Sequence, residues 1–354
     1  ADIAASSNLT GKAGDEVLEF QVGQVSNFLI ASAIDYYSAN LTLDQFTVTT
    51  TADAGAGSLR QAIEAANATS ANDEIIFASS LFTNGASTIT LGSAALPTIL
   101  ATSGAGSLTI TGPGASSLII SGNNGNTSRN FSIFNIASAG NLSISGVTVS
   151  GAKTTDTFGK GGAIINSGTL NISNSVITGN SVTGSSSYGA GIQNDSSAVL
   201  TISNTTISGN SSANHAAGIN NDGTITITNS TISGNTAANA GGGFVNNGTL
   251  SIFNSTIFGN TATLGSGGGI FNNTALNITN TTIASNFAVS GGGIHVNGGT
   301  INISNTILAN STGGGDFSGN QPGTSTNNLI TNGTLNGATT VTSAQLNLGP
   351  LQNN

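Results

Sequence analysis

The 354-residue chain has no cysteine, no methionine and no tryptophan, only four prolines, and only 5% charged residues. Without cysteine there is no disulfide to staple a small fold, no thiolate to act as nucleophile or metal ligand, and no thiol to carry a lipid. No run of roughly 18 or more apolar residues occurs, which excludes a membrane-spanning helix of the usual kind. Basic residues number five, and none follows Lys160. Nucleic acid and anionic membrane surfaces require a basic footprint, so both drop out as expected partners. Residues 1–74 carry ten acidic side chains against Lys12 and Arg60, whereas residues 75–354 carry four against three basic ones, so the acidity belongs to one end. The missing methionine includes an initiator, and an Ala-Asp start fits the mature end left by a signal peptidase. The expected location is extracellular or at the cell surface.

What the chain does have is 50 glycines and a great deal of Ser, Thr and Asn, written as copies of one sentence. Residues 241–260, GGGFVNNGTLSIFNSTIFGN, are one copy. Aligned on the Asn that follows each Leu-x-Ile or Ile-x-Ile, the anchors are Asn174, Asn204, Asn229, Asn254, Asn280 and Asn305, with steps of 30, 25, 25, 26 and 25. A second Asn trails each anchor, at Asn180, Asn210, Asn235, Asn260, Asn286 and Asn310. Such a period is the signature of a solenoid, and no copy contains a helical pattern.

Within a copy, apolar and polar residues alternate over residues 243–246, 249–253 and 256–258, so Phe244, Leu250, Ile252 and Ile257 point one way. Three strands close a coil, and parallel stacking turns each inward Leu or Ile into a column: Leu170, Leu200, Ile225, Leu250, Leu276 and Ile301 in one, Ile172, Ile202, Ile227, Ile252, Ile278 and Ile303 in the next. The anchor asparagines fall where the chain bends, and an amide with both donors and an acceptor can bond its copy above and below, so they are read as a structural ladder. The triplets 241–243, 267–269 and 291–293 supply positive φ and close coil-to-coil approach. They do not form a phosphate cradle, which needs a following helix and usually a Lys.

Three regions follow in order. Residues 1–45 lie outside the repeat as an arm whose Val17, Phe20, Val22, Phe28, Ile30 and Tyr36 are apolar enough to dock on something, within the chain or on another subunit. Residues 46–85 read as a capping strand and helix, with Ser58 capping a helix over 57–67 whose Leu59, Ala62, Ile63 and Ala66 make an apolar stripe. Residues 86–354 form the solenoid, regular over about 160–312 and irregular over 313–354.

The segments GSLRQAIEAAN, NDEIIF, STITL, LPTI, LTITGPGASSLIISGN, NLSISGVTVSG, GTLNISNS and LGPLQNN, in that order, resemble the secreted bacterial right-handed parallel β-helix repeat proteins, in particular the polymorphic outer-membrane-protein and choice-of-anchor group. The resemblance covers about residue 46 to the C-terminus. It implies a β-helix passenger on a cell surface or in an extracellular matrix, with no general catalytic signature. Two departures stand out: Gly57 occupies the place where that helix motif usually opens with Cys, and the chain stops at Asn354 where such proteins generally continue into an anchor tail. The expected fold is therefore all-β, a single-stranded right-handed parallel β-helix of three short strands per coil, with an N-terminal capping helix and a non-repeat arm.

Candidate chemistry is sparse. Glycoside hydrolysis needs two carboxylates about 5–9.5 Å apart. Asp195 and Asp222 qualify, each three residues after a strand Ile (Ile192, Ile219), on consecutive coils about 4.8 Å apart. With no aromatic platform or base beside them, and with Asn247, Asn273 and Asn297 continuing their column, they read as a turn column rather than as a cation or acid/base site. His215 and His295 are about three coils apart, too far to share a metal. No catalytic residue, cofactor or metal site is assigned. Phe253, Phe258 and Phe271 alternate outward and are taken as lateral contacts. The expected function is an extracellular structural subunit that assembles with itself head to tail. A surface adhesin or glycan-binding module comes second, and an atypical polysaccharide lyase or hydrolase third.

Overall fold

The computed structural model describes residues 43–92, 94–100, 106–122, 130–155 and 161–349. From strand Asn72–Phe77 onward the chain winds as a right-handed parallel β-helix. Strands in the same position of successive coils pair in parallel, and this builds four sheets in place of the expected three. In order around one coil, the first sheet contains Phe244–Asn246, the second Thr249–Phe253, the third Thr256–Phe258 and the fourth Thr261–Ser266. The second and third sheets have 11 strands each, the first eight and the fourth seven. The fourth escapes the sequence pattern because several of its strands, such as Ser181–Val182 and Ser211–Ser212, are only two residues long. Two residues are too few for an alternation to show.

Register is set by side chains of one kind stacking on themselves. In the second sheet Leu142, Leu170, Leu200, Ile225 and Leu250 are direct neighbours, as are Ile144, Ile172, Ile202, Ile227 and Ile252. The third sheet contributes Ile177, Ile207, Ile232 and Ile257, and the first Ile164, Ile192, Ile219 and Phe244. Each of these is at most 1% exposed. Burying one such side chain contributes about 1.5–3 kcal/mol, and a one-residue slip would turn a whole column to solvent. The glycine triplets do what the spacing suggests. Gly241, Gly267 and Gly291 have φ of 67°, 68° and 58°, and a Cβ on Gly243 would sit 2.5 Å from the Gly269 carbonyl oxygen one coil on.

Both ends of the apolar tube are closed. At the N-terminal end helix Leu59–Ala66 buries Leu59, Ala62, Ile63 and Ala66, and the Ser58 hydroxyl accepts the Gln61 N–H at 3.2 Å. Arg60 straps the helix down, donating to Asp53 Oδ1 at 2.7 Å and to the Ala95 carbonyl at 2.5 Å. Gly57 has φ of +75° and its missing Cβ would collide with the Thr49 side chain, so the Cys of the resembling motif has no room here. At the other end Ser325 takes the column position held by Ile303, Leu335 is packed into the core at 4% exposure, and the chain at Gly337 passes against the Ser325 carbonyl. The C-terminal coil therefore carries its own cap.

Truncating Ile227 to Ala should cost about 2–5 kcal/mol, read as a lower urea midpoint, because neighbouring coils cannot collapse into the gap. Thr226→Ala, which changes only the outer face, should stay within about 0.5 kcal/mol of the parent.

Candidate functional site

Side-chain amides stack into ladders, though the continuous ones are not on the anchor asparagines. Asn180, Asn210, Asn235, Asn260 and Asn286 are at most 1% exposed. Asn180 Nδ2 donates to Asn210 Oδ1 at 3.0 Å, Asn210 to Asn235 at 2.9 Å, Asn235 to Asn260 at 2.9 Å and Asn260 to Asn286 at 3.1 Å. Each of those oxygens also receives the backbone N–H of the preceding Asn, as from Asn210 N to Asn235 Oδ1 at 3.0 Å. A second buried ladder runs through Asn166, Asn194, Asn221, Asn246 and Asn272 at 2.7–2.9 Å. Every Asn-to-Asn bond in both ladders runs toward the C-terminal end, an arrangement in which each bond polarises the next. In the first ladder Nδ2 also donates back to a carbonyl of the preceding coil, as from Asn210 to Ile177 and from Asn286 to Ile257. One coil after Asn286, Ser311 stands in the Asn position, and its backbone N–H is taken by the fully buried Asp316 at 2.8 Å. Asp316 also accepts from Thr331 N, Thr331 Oγ1 and Asn332 N, so all its partners are donors.

The anchors Asn174, Asn204, Asn229, Asn254, Asn280 and Asn305 occupy the turn between the second and third sheets with φ of 46–53°. This left-handed turn leaves all six exposed. Of these, only Asn280 bonds to its neighbouring anchor, donating to Asn254 at 3.1 Å. The periodic Asn fits the turn's backbone, since Asn tolerates the left-handed region better than most residues. The reading of the anchors as a continuous ladder is corrected accordingly. The trailing Asn, equally periodic, is the buried one at Asn180, Asn210, Asn235, Asn260 and Asn286, whereas Asn310 is half-buried with φ of 56° and stands one residue before Ser311, which takes the ladder position.

Asp195 and Asp222 do face each other from consecutive coils. Gln193 Nε2 bridges them, at 3.1 Å from Asp195 and 2.9 Å from Asp222. Asp222 further receives Asn220 Nδ2 and Asn247 Nδ2, both at 2.8 Å, and Asp195 receives Ser167 Oγ at 2.7 Å. Beyond Asn247 the column continues as Asn297 to Asn273 to Asn247, an exposed string of amides donating toward Asp222, opposite in sense to the buried ladders. Two carboxylates a coil apart are thus held by amide and hydroxyl donors. Among the described residues no group of three or more His, Asp or Glu side chains converges. An open groove of about 480 Å³ runs beside the pair, lined by Ser138, Ser167 and Ser196.

The histidines are unconnected, as their separation requires, yet similarly built. His215 stacks on Tyr188 at 5.5 Å between ring centres, and His295 on Phe271 at 5.3 Å. The Ala240 backbone N–H donates to His215 Nδ1 at 3.2 Å, which fixes the proton on Nε2. His295 Nδ1 lies 2.8 Å from Ser318 Oγ and 3.3 Å from Ser290 Oγ. Burial holds both imidazoles below their ordinary pKa.

Phe253, Phe258 and Phe271 are half-buried and belong to the second, third and first sheets, so they form no common patch. Val17, Phe20, Val22, Phe28, Ile30 and Tyr36 lie outside the described residues. Sequence reading missed the exposed trio Leu264, Phe287 and Val289, at 72%, 38% and 62% exposure on neighbouring strands of the fourth sheet. The signal was the Phe-Ala-Val alternation of residues 287–289, hidden because no fourth strand was expected. Comparison of the chain with family models, curated proteins and solved structures finds no match.

Replacing Asn235 by Ala should cost about 1–3 kcal/mol for each buried donor it orphans, whereas Asn229→Gly, which keeps the left-handed turn, should leave the melting temperature nearly unchanged. Differential scanning calorimetry of the two variants separates the buried ladder from the exposed column. Because the folded imidazoles bind protons less readily than the unfolded ones, stability should be complete above about pH 6.5 and fall as pH drops below it toward the folded pKa. Urea midpoints across that range should flatten in a His215→Gln, His295→Gln double variant.

Proposed function

We propose that the protein is an extracellular structural subunit that assembles head to tail along its own axis, of the kind found among the secreted bacterial β-helix passengers it resembles. The observation that carries this reading is the second sheet. It runs through 11 strands, and its first strand, Leu43–Val48, and last strand, Thr324–Thr326, each pair on one side only among the described residues. These two edges face opposite ways along one axis, so joining one copy's last strand to the next copy's first is a heterologous contact that does not close. Charge favours that polarity. The N-terminal end carries Asp44, Asp53, Glu64, Asp73 and Glu74 against Arg60, while residues 317–349 carry no charge, so two N-terminal ends repel and unlike ends do not. The arm of residues 1–42 is a further element that could make the same junction. The carboxylate pair is held by amides instead of being left free for acid/base work, which favours a structural over a catalytic reading. The groove beside Ser167, Asp195 and Asp222, lined with hydroxyls and carboxylates, supports glycan binding as the second reading.

Electron microscopy and sedimentation of the purified protein should show axial particles whose length grows with concentration. Thr324→Lys with Thr326→Lys, which charges the last edge, should leave monomers. Deleting residues 1–40 distinguishes the arm from the edge: filaments that persist assign the junction to strand pairing, and filaments that vanish assign it to the arm. Full-length protein that stays monomeric at high concentration overturns the proposal.

A further inference from the structure

We infer that the exposed turn column is an acceptor site for N-linked sugar, with Asn204, Asn229, Asn254 and Asn280 as the modified residues. Each of the four opens the triplet Asn-x-Ser/Thr without proline: Asn204-Thr205-Thr206, Asn229-Ser230-Thr231, Asn254-Ser255-Thr256 and Asn280-Thr281-Thr282. In a chain this rich in Asn, Ser and Thr the triplet is common, and the discrimination comes from the fold. Triplet asparagines at Asn171, Asn194, Asn247, Asn272, Asn277 and Asn302 donate to neighbouring groups, whereas the exposed Asn141 and Asn332 open isolated triplets outside the left-handed column. Asn210 also opens such a triplet, Asn210-Ser211-Ser212, yet it is 1% exposed and its Nδ2 donates to the Asn235 amide and to the Ile177 carbonyl. The four turn asparagines are exposed on consecutive coils, in a left-handed conformation that turns the amide away from the sheets. Their Nδ2 atoms have no bond to another coil among the described residues, apart from that of Asn280 to Asn254.

The two anchors that flank the four have the same backbone without the motif. Asn174 and Asn305 have φ of 48° and 51°, but two residues on they have Val176 and Ile307 in place of Thr. Other left-handed turns of the coil are served by glycine, as at Gly179, Gly209, Gly234 and Gly259, so the conformation alone does not demand an amide here. The co-reactant is a sugar carried on a nucleoside diphosphate. Asn Nδ2 attacks its anomeric carbon and a C–N bond forms. The bond from that carbon to the diphosphate oxygen breaks, the nucleoside diphosphate leaves with the electron pair, and the surplus amide proton passes to a base of the transferase. Neighbouring acceptors stand about 4.8 Å apart, one coil rise, which is about the width of a sugar ring. Single sugars can therefore stack on adjacent coils, and branched chains fit only on alternate ones.

This inference is independent of head-to-tail assembly, because the column lies on the side of the solenoid and not at its ends. The test incubates folded, full-length protein with a soluble N-glycosyltransferase and its nucleotide-activated hexose, followed by peptide mass mapping. A synthetic peptide of residues 224–236 serves as the enzyme's positive control. The expected result is one added hexose at each of Asn204, Asn229, Asn254 and Asn280 and none at Asn174, Asn210 or Asn305. Thr231→Val keeps the β-branched shape and should abolish transfer to Asn229 alone, with an unchanged circular dichroism spectrum. Modification of the peptide but of none of the four turns in the folded protein overturns the inference. So does equal transfer to Asn174 and Asn305, or transfer to Asn229 that survives Thr231→Val.

Discussion

Every coil is obliged to hydrogen-bond its backbone to the coil before and the coil after, and this single requirement governs the rest of the structure. Parallel pairing at a fixed rise places each residue directly above its counterpart, so a side chain that suits one coil must also suit stacking on itself. Aliphatic residues meet this by close packing, as in the Ile144 to Ile252 column. Asparagine meets it because its amide is both donor and acceptor, so a buried polar column can satisfy itself. Charged residues do not, and the regular coils nearly lack them. Where two carboxylates do stack, at Asp195 and Asp222, Gln193 bridges the pair.

The same requirement decides what could be read from the sequence. The columns of the second and third sheets were legible because three or more alternating residues recur at one period, and Leu250, Ile252 and Ile257 are all buried as that pattern requires. The capping helix was legible from Ser58 and its stripe. The fourth sheet was not, since two-residue strands such as Thr236–Ala237 have no periodicity of their own. The two asparagine series show a different limit. Both recur with the same step, and nothing in a periodic position says whether the residue is kept for its amide or for its φ. The structure separates them: Asn235 is buried and bonded, Asn229 is exposed and left-handed. The cap at the end of the solenoid has no periodic signal for a related reason, because Leu335 closes the tube from a segment that belongs to no repeat.

The histidines and outward aromatics show how a repetitive scaffold makes local exceptions. On the outer face of the first sheet, the column Gln193, Asn220, Val245, Phe271, His295 and Ser318 changes chemistry at every coil while the inner column stays apolar. The covering loops supply the difference: Ala216 and Ala240 pack on Val245, and Phe271 lies against the same cluster. Variation is thus carried on the outer face, where loops and outward side chains of the next coil are both partners, as in the stack of His295 on Phe271. A stack that stays apolar inside can carry a different residue on every step outside.

One coil beyond Asn286 the buried amide column gives way to Ser311 and to Asp316, whose carboxylate takes the Ser311 N–H together with three donors from Thr331 and Asn332. Each coil below it touches only the next, so one more 25-residue copy could be inserted, or one removed, without disturbing either terminus. The distance between the two ends is then a count of copies. Duplication or loss of a repeat would lengthen or shorten the molecule by one coil, about 4.8 Å, while leaving its stopper intact. Such a molecule is a ruler whose graduations are written in the gene and whose final mark is a single carboxylate.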